Sequence, residues 1–384
     1  MKVINFSWDS SALGMDSKFA ERIIEYGGLV DRYGCLVPAQ SDCRADLSEK
    51  AVVYGLGCEQ KSFINRLKFL FKLYRFASKL IKTDNYEVIS VQDPFELAAV
   101  AWLVARKFGL GLVMEEHGDF FSNHFWRDEN SINFLRYHLG LFLIKRADSI
   151  RTASWRIKRT LTQRFGIDPE KVVAVPIYTE IKERWGTLSY SNLKDRYDGK
   201  FVFLTLGRMA KQKNLPLLLA AYKEVAARND TMLVIVGDGP EKDYLKKLAH
   251  DLGLGYKADF NDWTEDVYPW YEAADCYILS SNYEGWGRVI VEATVSGLPI
   301  IMTDVGCAGD LIKDGVSGVV VPIGDRQALT AGMLKVMSDE IFRKKISAEA
   351  RQAVTSLPGR EETLNRYWRV WQQARKKIKP VPTI

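Results

Sequence analysis

Two glutamates, Glu284 and Glu292, stand eight positions apart in SSNYEGWGRVIVEATVSGLPI (280–300), divided by a Gly-Trp-Gly-Arg turn and a short apolar run. One carboxylate before a turn and a second inside the helix that follows suit an extended ligand needing oxygen acceptors at two points. Two structural carboxylates are the other reading. A fully helical span would separate them by up to about 12 Å, whereas glycosidase carboxylates face one another at ~5–9.5 Å, so this is not an obvious hydrolytic dyad. The stretch FVFLTLGRMAKQKN places Arg208 directly after Gly207, and Lys213 five residues further on, ahead of a helical pattern. Two cations beside the free N–H groups of a helix start suit a diphosphate; a solvated pair at a surface turn is the plain alternative. LVIVGDGPE sets Gly237 and Asp238 in a Gly-rich turn. Lacking the third glycine and the Lys-Ser/Thr of stronger phosphate loops, it reads equally well as a strand-to-helix turn. In the first half, EEHGDFF presents His117 and Asp119, with His124 shortly after. Each is either a cleft residue for an acceptor or a hydrogen-bonded loop residue.

The elements that must position these residues alternate. KVINFSW, YEVISVQ, GLVMEEH and VVAVP read as strands, and SKFAERIIEYGG and FELAAVAWLVARKFG as helices, the signature of a parallel sheet covered by helices. The polar, aperiodic segment 177–200 reads as a connection. The alternation restarts with KFVFLTLGRM, NLPLLLAAYKEVAAR, TMLVIVGDGP, EKDYLKKLAHDLG, DCYILSS, GRVIVEATVSG, PIIMTD and SGVVVP. An α/β protein of two doubly wound, Rossmann-like domains facing across a cleft is expected, with ligands outside the C-terminal ends of the strands.

The chain has 384 residues, long for one core, with 47% hydrophobic and 27% charged residues and a net charge of +6. Five cysteines without a Cys-x-x-Cys pair read as reduced thiols of a cytoplasmic protein, not as a disulfide framework or zinc site. A strand from the first residues leaves no room for a signal peptide, and no apolar run approaches the ~18 residues of a spanning helix. No Gly-x-Gly-x-x-Gly follows the first strand, which argues against a dinucleotide dehydrogenase; nucleic-acid binding has only diffuse charge behind it. The segment 61–82 holds seven basic residues and no acid. On a helix, Lys61, Lys68, Lys72, Arg75, Lys79 and Lys82 fall within one sector of about 80°. It reads as a helix packed on the sheet with its lysines in water, and its wide apolar arc also suits peripheral contact with an anionic membrane.

EGWGRVIVE has the form Glu-x7-Glu, and GR…KQKN, VGDGP and YEGWG…E…SGLPIIMTDVG follow in the order of a known family. Over about 200–325 the chain closely resembles the retaining glycosyltransferases of family 4, which have the GT-B fold; EEHGDFF through RADSIRTAS resembles the N-domain of bacterial surface-polysaccharide enzymes. The resemblance implies an N-terminal acceptor-side domain over 1–180, a nucleotide-sugar domain over 181–361, and a last helix, about 362–384, packing back on the first. It gives Trp368 and Trp371 a role in interdomain packing. It implies that Arg208 and Lys213 hold the donor diphosphate and that Glu292 accepts from the ribose hydroxyls. Glu284 would contact the transferred sugar, with Gly285, Trp286, Gly287 and Arg288 lining the donor and His117 beside the anomeric centre. Gly207, Gly237 and Asp238 belong to the same donor site, and ADFNDWTED lies near the base. Gly14, Asp119 and His124 fall on the acceptor side. Relatives often carry Gly-Gly in the loop after the first strand where this chain has only Gly14. Cys307 stands where a second glycine often follows Gly306, and Asp310 where glutamate is common. The implied function is metal-independent, cofactor-free, retaining hexosyl transfer from a nucleoside-diphosphate sugar to a glycan or lipid-linked glycan, in the cytoplasm or on the inner face of the membrane. A non-catalytic partner subunit and a sugar-nucleotide epimerase share the architecture.

Overall fold

Runs of β-branched and aromatic residues form strands buried on both faces, as parallel sheets covered by helices require. A computed structural model describes residues 1–58, 63–178 and 193–376. The chain divides into two units, Met1–Pro176 with Pro358–Ile384, and Ile177–Leu357. Lys61, most of the 177–200 connection and residues 377–384 lie outside the described residues.

The first unit contains β1 (Lys2–Phe6), α1 (Lys18–Gly28), β2 (Arg32–Ala39), β3 (Cys43–Asp46), β4 (Ala51–Gly57), α2 (Phe63–Asp84), β5 (Val88–Val91) and α3 (Glu96–Phe108). It continues with β6 (Gly111–Glu116), α4 (Phe125–Asp128), α5 (Ser131–Ile144), β7 (Ser149–Thr152), α6 (Trp155–Arg159) and β8 (Val172–Ala174). The strand order is β3-β4-β2-β1-β5-β6-β7-β8, with β3 antiparallel to β4 and the other neighbours parallel. Local signals set the helix ends: Ser17 caps α1 by accepting from the Ala20 N–H, and Gly109, at φ 69°, closes α3 in the left-handed conformation.

Right-handed crossovers then decide which face each helix covers. The chain moves one way from β1 to β2 and the other way from β4 through β5 and β6 to β7. Accordingly α2, α3 and α5 form one layer and α1 lies on the opposite face. There α1 meets the last described helix, Arg360–Ala374, whose Tyr367, Val370, Trp371 and Ala374 share a core with Phe19, Ile23 and Tyr26. Trp371 is fully buried, with ring centroids 5.6 Å from Tyr26 and 5.5 Å from Tyr33. It is a core residue of the first unit in place of the interdomain role expected of it, and Trp368 is partly exposed.

The second unit runs α7 (Leu193–Arg196), β9 (Phe201–Leu206), α8 (Leu215–Ala226), β10 (Thr231–Val236), α9 (Lys242–Asp251), β11 (Ala258–Asn261) and α10 (Tyr268–Ala273). After these come β12 (Cys276–Leu279), α11 (Arg288–Val295), β13 (Ile300–Thr303), β14 (Val319–Val321), α12 (Arg326–Ser338) and α13 (Glu340–Thr355). Its parallel sheet has the order β11-β10-β9-β12-β13-β14. The first residues of ADFNDWTED are therefore an edge strand, not loop. Asp259, polar enough to read as loop, accepts from the Tyr197 hydroxyl at 2.5 Å and pairs with Arg196 at 3.0 Å. In each unit the strand order reverses once, between β1 and β5 and between β9 and β12. Such switch points open a crevice at the C-terminal strand ends.

Candidate active site

In the second unit the sequence-selected residues gather at the β9/β12 switch point. The loops after these strands are tied together by side chains. Ser280 Oγ donates to the Lys213 carbonyl at 2.8 Å, Gln212 Nε2 to the Tyr283 carbonyl at 3.0 Å, and Asn214 Nδ2 to Asn282 Oδ1 at 2.9 Å. Thr303, at the end of β13, donates to the Ser281 carbonyl at 2.6 Å. So fixed, Lys213 Nζ reaches Glu284 Oε1 at 2.5 Å across 71 residues of sequence, and Ser281 Oγ donates to the same oxygen at 2.8 Å. Gly207, Arg208, Lys213 and Ser280 line a shallow pocket, with the Arg208 side chain exposed at its edge.

Two glycines let the strand ends approach. Gly237, at φ 149°, has a backbone conformation that L side chains rarely adopt, and a Cβ there would run into the Gly207 carbonyl. Gly306, at φ 57°, backs the glutamate loop: a Cβ would lie 2.6 Å from the Trp286 carbonyl and 3.0 Å from Glu284 Cβ. The Cys307 N–H donates to that same Trp286 carbonyl at 3.0 Å. Cys307 thus anchors the loop through its backbone, which a glycine would do equally well. Gly285, Trp286 and Gly287 form the turn leading into α11, and Trp286 is buried.

Glu292, on α11, is buried away from this pair. Its Oε2 accepts from the Tyr271 hydroxyl at 3.0 Å and its Oε1 from Arg288 at 3.3 Å, one helical turn before it. Burial, then the neighbouring carboxylate, raises the Tyr271 phenol well above its usual range, so the hydroxyl keeps its proton for Glu292. Asp238 is not brought to the Lys213–Glu284 pair. Its carboxylate accepts from the Gly239 N–H at 2.8 Å and faces Lys242 at 3.6 Å.

In the first unit His117 follows β6 with both ring nitrogens engaged. Arg151 NH1 lies 2.6 Å from Nδ1, and Nε2 lies 3.2 Å from Glu115 Oε2. A guanidinium only donates, so Nδ1 is the acceptor and Nε2 carries the proton. Glu115 is also held by Ser90 Oγ at 2.6 Å, and Arg151 by the Val175 carbonyl at 2.7 Å and the Tyr367 ring at 5.0 Å. Burial and the Arg151 charge lower the His117 pKa against the opposing pull of Glu115, leaving a neutral imidazole. Asp119 is buried and accepts from the Ser122 N–H at 3.2 Å, which makes it a turn-forming residue. His124 is exposed and stacks on Phe125. Gly14 is exposed and closes a short turn onto the Ser11 carbonyl.

Sequence reasoning missed Tyr271, Ser281, Glu115 and Arg151. Ser281 lay inside the quoted motif. Glu115 was one letter of EEHGDFF, where alternation along β6 sends it and Glu116 to opposite faces. Tyr271 and Arg151 carry no local signal.

The chain is similar to known proteins in sequence and in fold. Residues 190–353 match the family described as Glycosyl transferases group 1, and residues 36–177 match Glycosyltransferase Family 4. Each half of the chain thus matches a glycosyltransferase family. The UDP-Gal:alpha-D-GlcNAc-diphosphoundecaprenol alpha-1,3-galactosyltransferase of Escherichia coli is 25% identical over 74% of this chain and 74% of its own. Sucrose-phosphate synthase from Thermosynechococcus elongatus superposes with a TM-score of 0.77 at 17% identity, covering 97% of this chain and 98% of that one. Anabaena HepE in complex with UDP-glucose superposes at 0.71 and 19% identity over 97% and 98%. The structural likenesses show the GT-B fold, and the sequence matches show glycosyl transfer as the activity.

Proposed function

We propose that this glycosyltransferase moves a hexose from a nucleoside-diphosphate sugar, uridine-based as in the relative's name, to a lipid-linked glycan during surface-polysaccharide assembly. Transfer proceeds with retention, without a metal or other cofactor, at the cytoplasmic face of the membrane. The contact between Lys213 and Glu284 beside exposed Arg208 carries the reading. Donor diphosphate draws Lys213 away from Glu284 and towards itself, leaving the freed carboxylate for hydroxyls of the bound sugar. Arg208 and Lys213 then face the negative charge that grows as the bond between the anomeric carbon and the phosphate oxygen breaks, and this preorganised charge supplies the stabilisation a metal would give. The acceptor oxygen bonds to the anomeric carbon from the same face, and its proton passes to the departing phosphate. Glu292, held by Tyr271, accepts from the ribose, and His117 offers a fixed neutral ring in the acceptor-side unit.

A thermal-shift panel of UDP-, GDP- and ADP-sugars on the wild type and Glu292→Ala tests donor binding, since a ligand of the folded state raises Tm by mass action. A base-specific rise that fades in the variant is expected. No rise with any nucleotide, alone or with acceptor, would remove the donor site and favour a non-catalytic partner subunit. An inverted anomeric configuration in the product, read by NMR, would remove the retaining mechanism. Loss of activity in chelator, restored by a divalent ion, would remove metal independence.

A further inference from the structure

The face of the first unit covered by α2, α3 and α5 carries apolar side chains that the fold itself does not use. Among the described residues seventeen large apolar side chains are exposed, and eight of them belong to these three helices. On α5, Ile132, Leu135, Leu139 and Phe142 recur at intervals of three, four and three residues, which places them on one stripe. Leu135 is 68% exposed, and Leu139 alone of the four is half-buried. A helix with apolar residues all round is normally enclosed; here the stripe turned away from the sheet meets solvent.

The stripe of α2 is unusual in another way. Ile64, Leu67 and Phe71 lie on the same side as Lys68, Arg75, Lys79 and Lys82, within an arc of roughly 120°, and all seven are exposed. Phe69, Leu73, Ala77 and Ile81 form the packing face. The exposed side therefore runs from apolar at the helix start to cationic at its end. Charges on this layer are one-sided. Between Phe63 and Thr83 there is no carboxylate, and α5 has none. Lys72 is held by Asp42 and Arg136 by Glu96, while Lys145 and Arg146 extend the basic border beyond α5.

We infer that the α2–α3–α5 face docks on an anionic lipid surface, with Phe71 and Leu135 entering the acyl boundary and the lysines of α2 against headgroup phosphates. The mixture of apolar and cationic groups is what such a surface rewards. A symmetric pairing with a second copy would set this basic border against itself. The inference deepens the reading of a lipid-linked acceptor by naming the element that meets the bilayer. The stripe of α5, which a search for basic segments passes over, supplies the apolar part.

Co-sedimentation of the full chain with phosphatidylcholine vesicles, with and without phosphatidylglycerol, tests it at low and high salt. Binding that requires phosphatidylglycerol and weakens with salt is expected. Lys79→Gln with Lys82→Gln should lower affinity about fivefold per lysine. Leu135→Ser with Phe71→Ser should lower it about tenfold and abolish the part that survives high salt. These side chains are exposed, so all variants should keep the wild-type Tm and its donor-induced rise. Equal binding to both vesicle types, or wild-type binding by both double variants, overturns the inference. So does a dimer in light scattering that Leu135→Ser dissociates while vesicles stay unbound. Retained vesicle binding without any donor response would instead sink the transferase reading and leave the docking face standing.

Discussion

The two units hold their candidate site residues by opposite means. At the β9/β12 switch point, Lys213 and Glu284 meet from two loops, and the contact is an ion pair that a diphosphate can exchange for a better one. At the end of β6, His117 sits between a cation and a carboxylate that are both buried, and neither partner has anywhere to go. In the proposed reading one arrangement gives way to ligand and the other stays. The Lys213–Glu284 charges are paired with each other, whereas the Arg151 and Glu115 charges fix a neutral ring.

The largest effect should follow from removing the exchangeable cation. Lys213→Ala is expected to lower kcat by about 10² to 10³, the usual cost of one preorganised group facing developing negative charge. Glu284→Gln distinguishes a ligand contact from a parking place. As a sugar contact it lowers kcat/KM strongly; as a mere partner of Lys213 it lowers Tm and leaves kcat intact. A steady-state comparison of both variants with the double variant decides the matter, and strict additivity would break the exchange described above.

His117 sharpens the other side. Because Arg151 donates to Nδ1, a single neutral tautomer with the proton on Nε2 is expected in ¹⁵N NMR. Its lowered pKa means that this state persists as pH falls below the ordinary histidine range near 6.5. The pH profile of kcat should therefore show no limb belonging to His117 near neutrality. His117→Ala should cost about 10- to 100-fold through lost positioning. A limb between pH 6 and 7 that vanishes in the variant would make His117 a titrating base and end the contrast.

Tyr271→Phe is a smaller perturbation. It deletes one hydrogen bond to Glu292 while Arg288 remains. About 1 kcal/mol is at stake, equivalent to roughly a fivefold rise in donor KM with kcat unchanged. An equal fall in kcat would place Glu292 in the reacting part of the site.

Legibility in the sequence followed the range of the interactions. Both parallel sheets could be read from alternating strand and helix patterns, and the Glu284–Glu292 stretch from its spacing. The strands β2, β4 and β7 escaped because short buried runs carry no distinctive period, and β11 because its Asp259 looks like a loop residue until Tyr197 and Arg196 are brought to it. The contact between Lys213 and Glu284 was not legible as a contact. Each residue was marked, but only the parallel pairing of β9 with β12 makes them neighbours. Arg151 was invisible for the same reason, since it reaches His117 across 34 residues through the pairing of β6 with β7.

The last test uses the two adjacent glutamates of β6, whose faces differ. Burial pushes the Glu115 carboxyl up, but the His117 hydrogen bond, the Arg151 charge and the Ser90 hydroxyl outweigh it, and the net shift is downward. Glu116 is fully buried, and among the described residues no cation pairs with it. Its Oε1 accepts only a 3.3 Å bond from the Phe120 N–H, its Oε2 has no partner, and burial reinforced by Asp119 raises its pKa well above the usual carboxylate range. A raised group contributes stability that is present below its unfolded pKa and is lost as pH rises through the folded one; a lowered carboxylate contributes stability above its unfolded pKa that is lost as pH falls. Glu116→Gln, which mimics the protonated acid, should thus match the wild type below about pH 4, where the unfolded carboxyl is protonated too, and gain on it above that by up to about 1.4 kcal/mol per pH unit until the folded carboxyl titrates. Glu115→Gln should do the reverse, costing most at neutral pH and least in acid. Melting temperatures of both variants between about pH 3 and 8 read the two slopes, that of Glu115 below the unfolded pKa and that of Glu116 above it. Curves parallel to the wild type would mean that the faces of β6 do not separate these carboxylates, and that the fixed charge under His117 is no different from the charge elsewhere in the sheet.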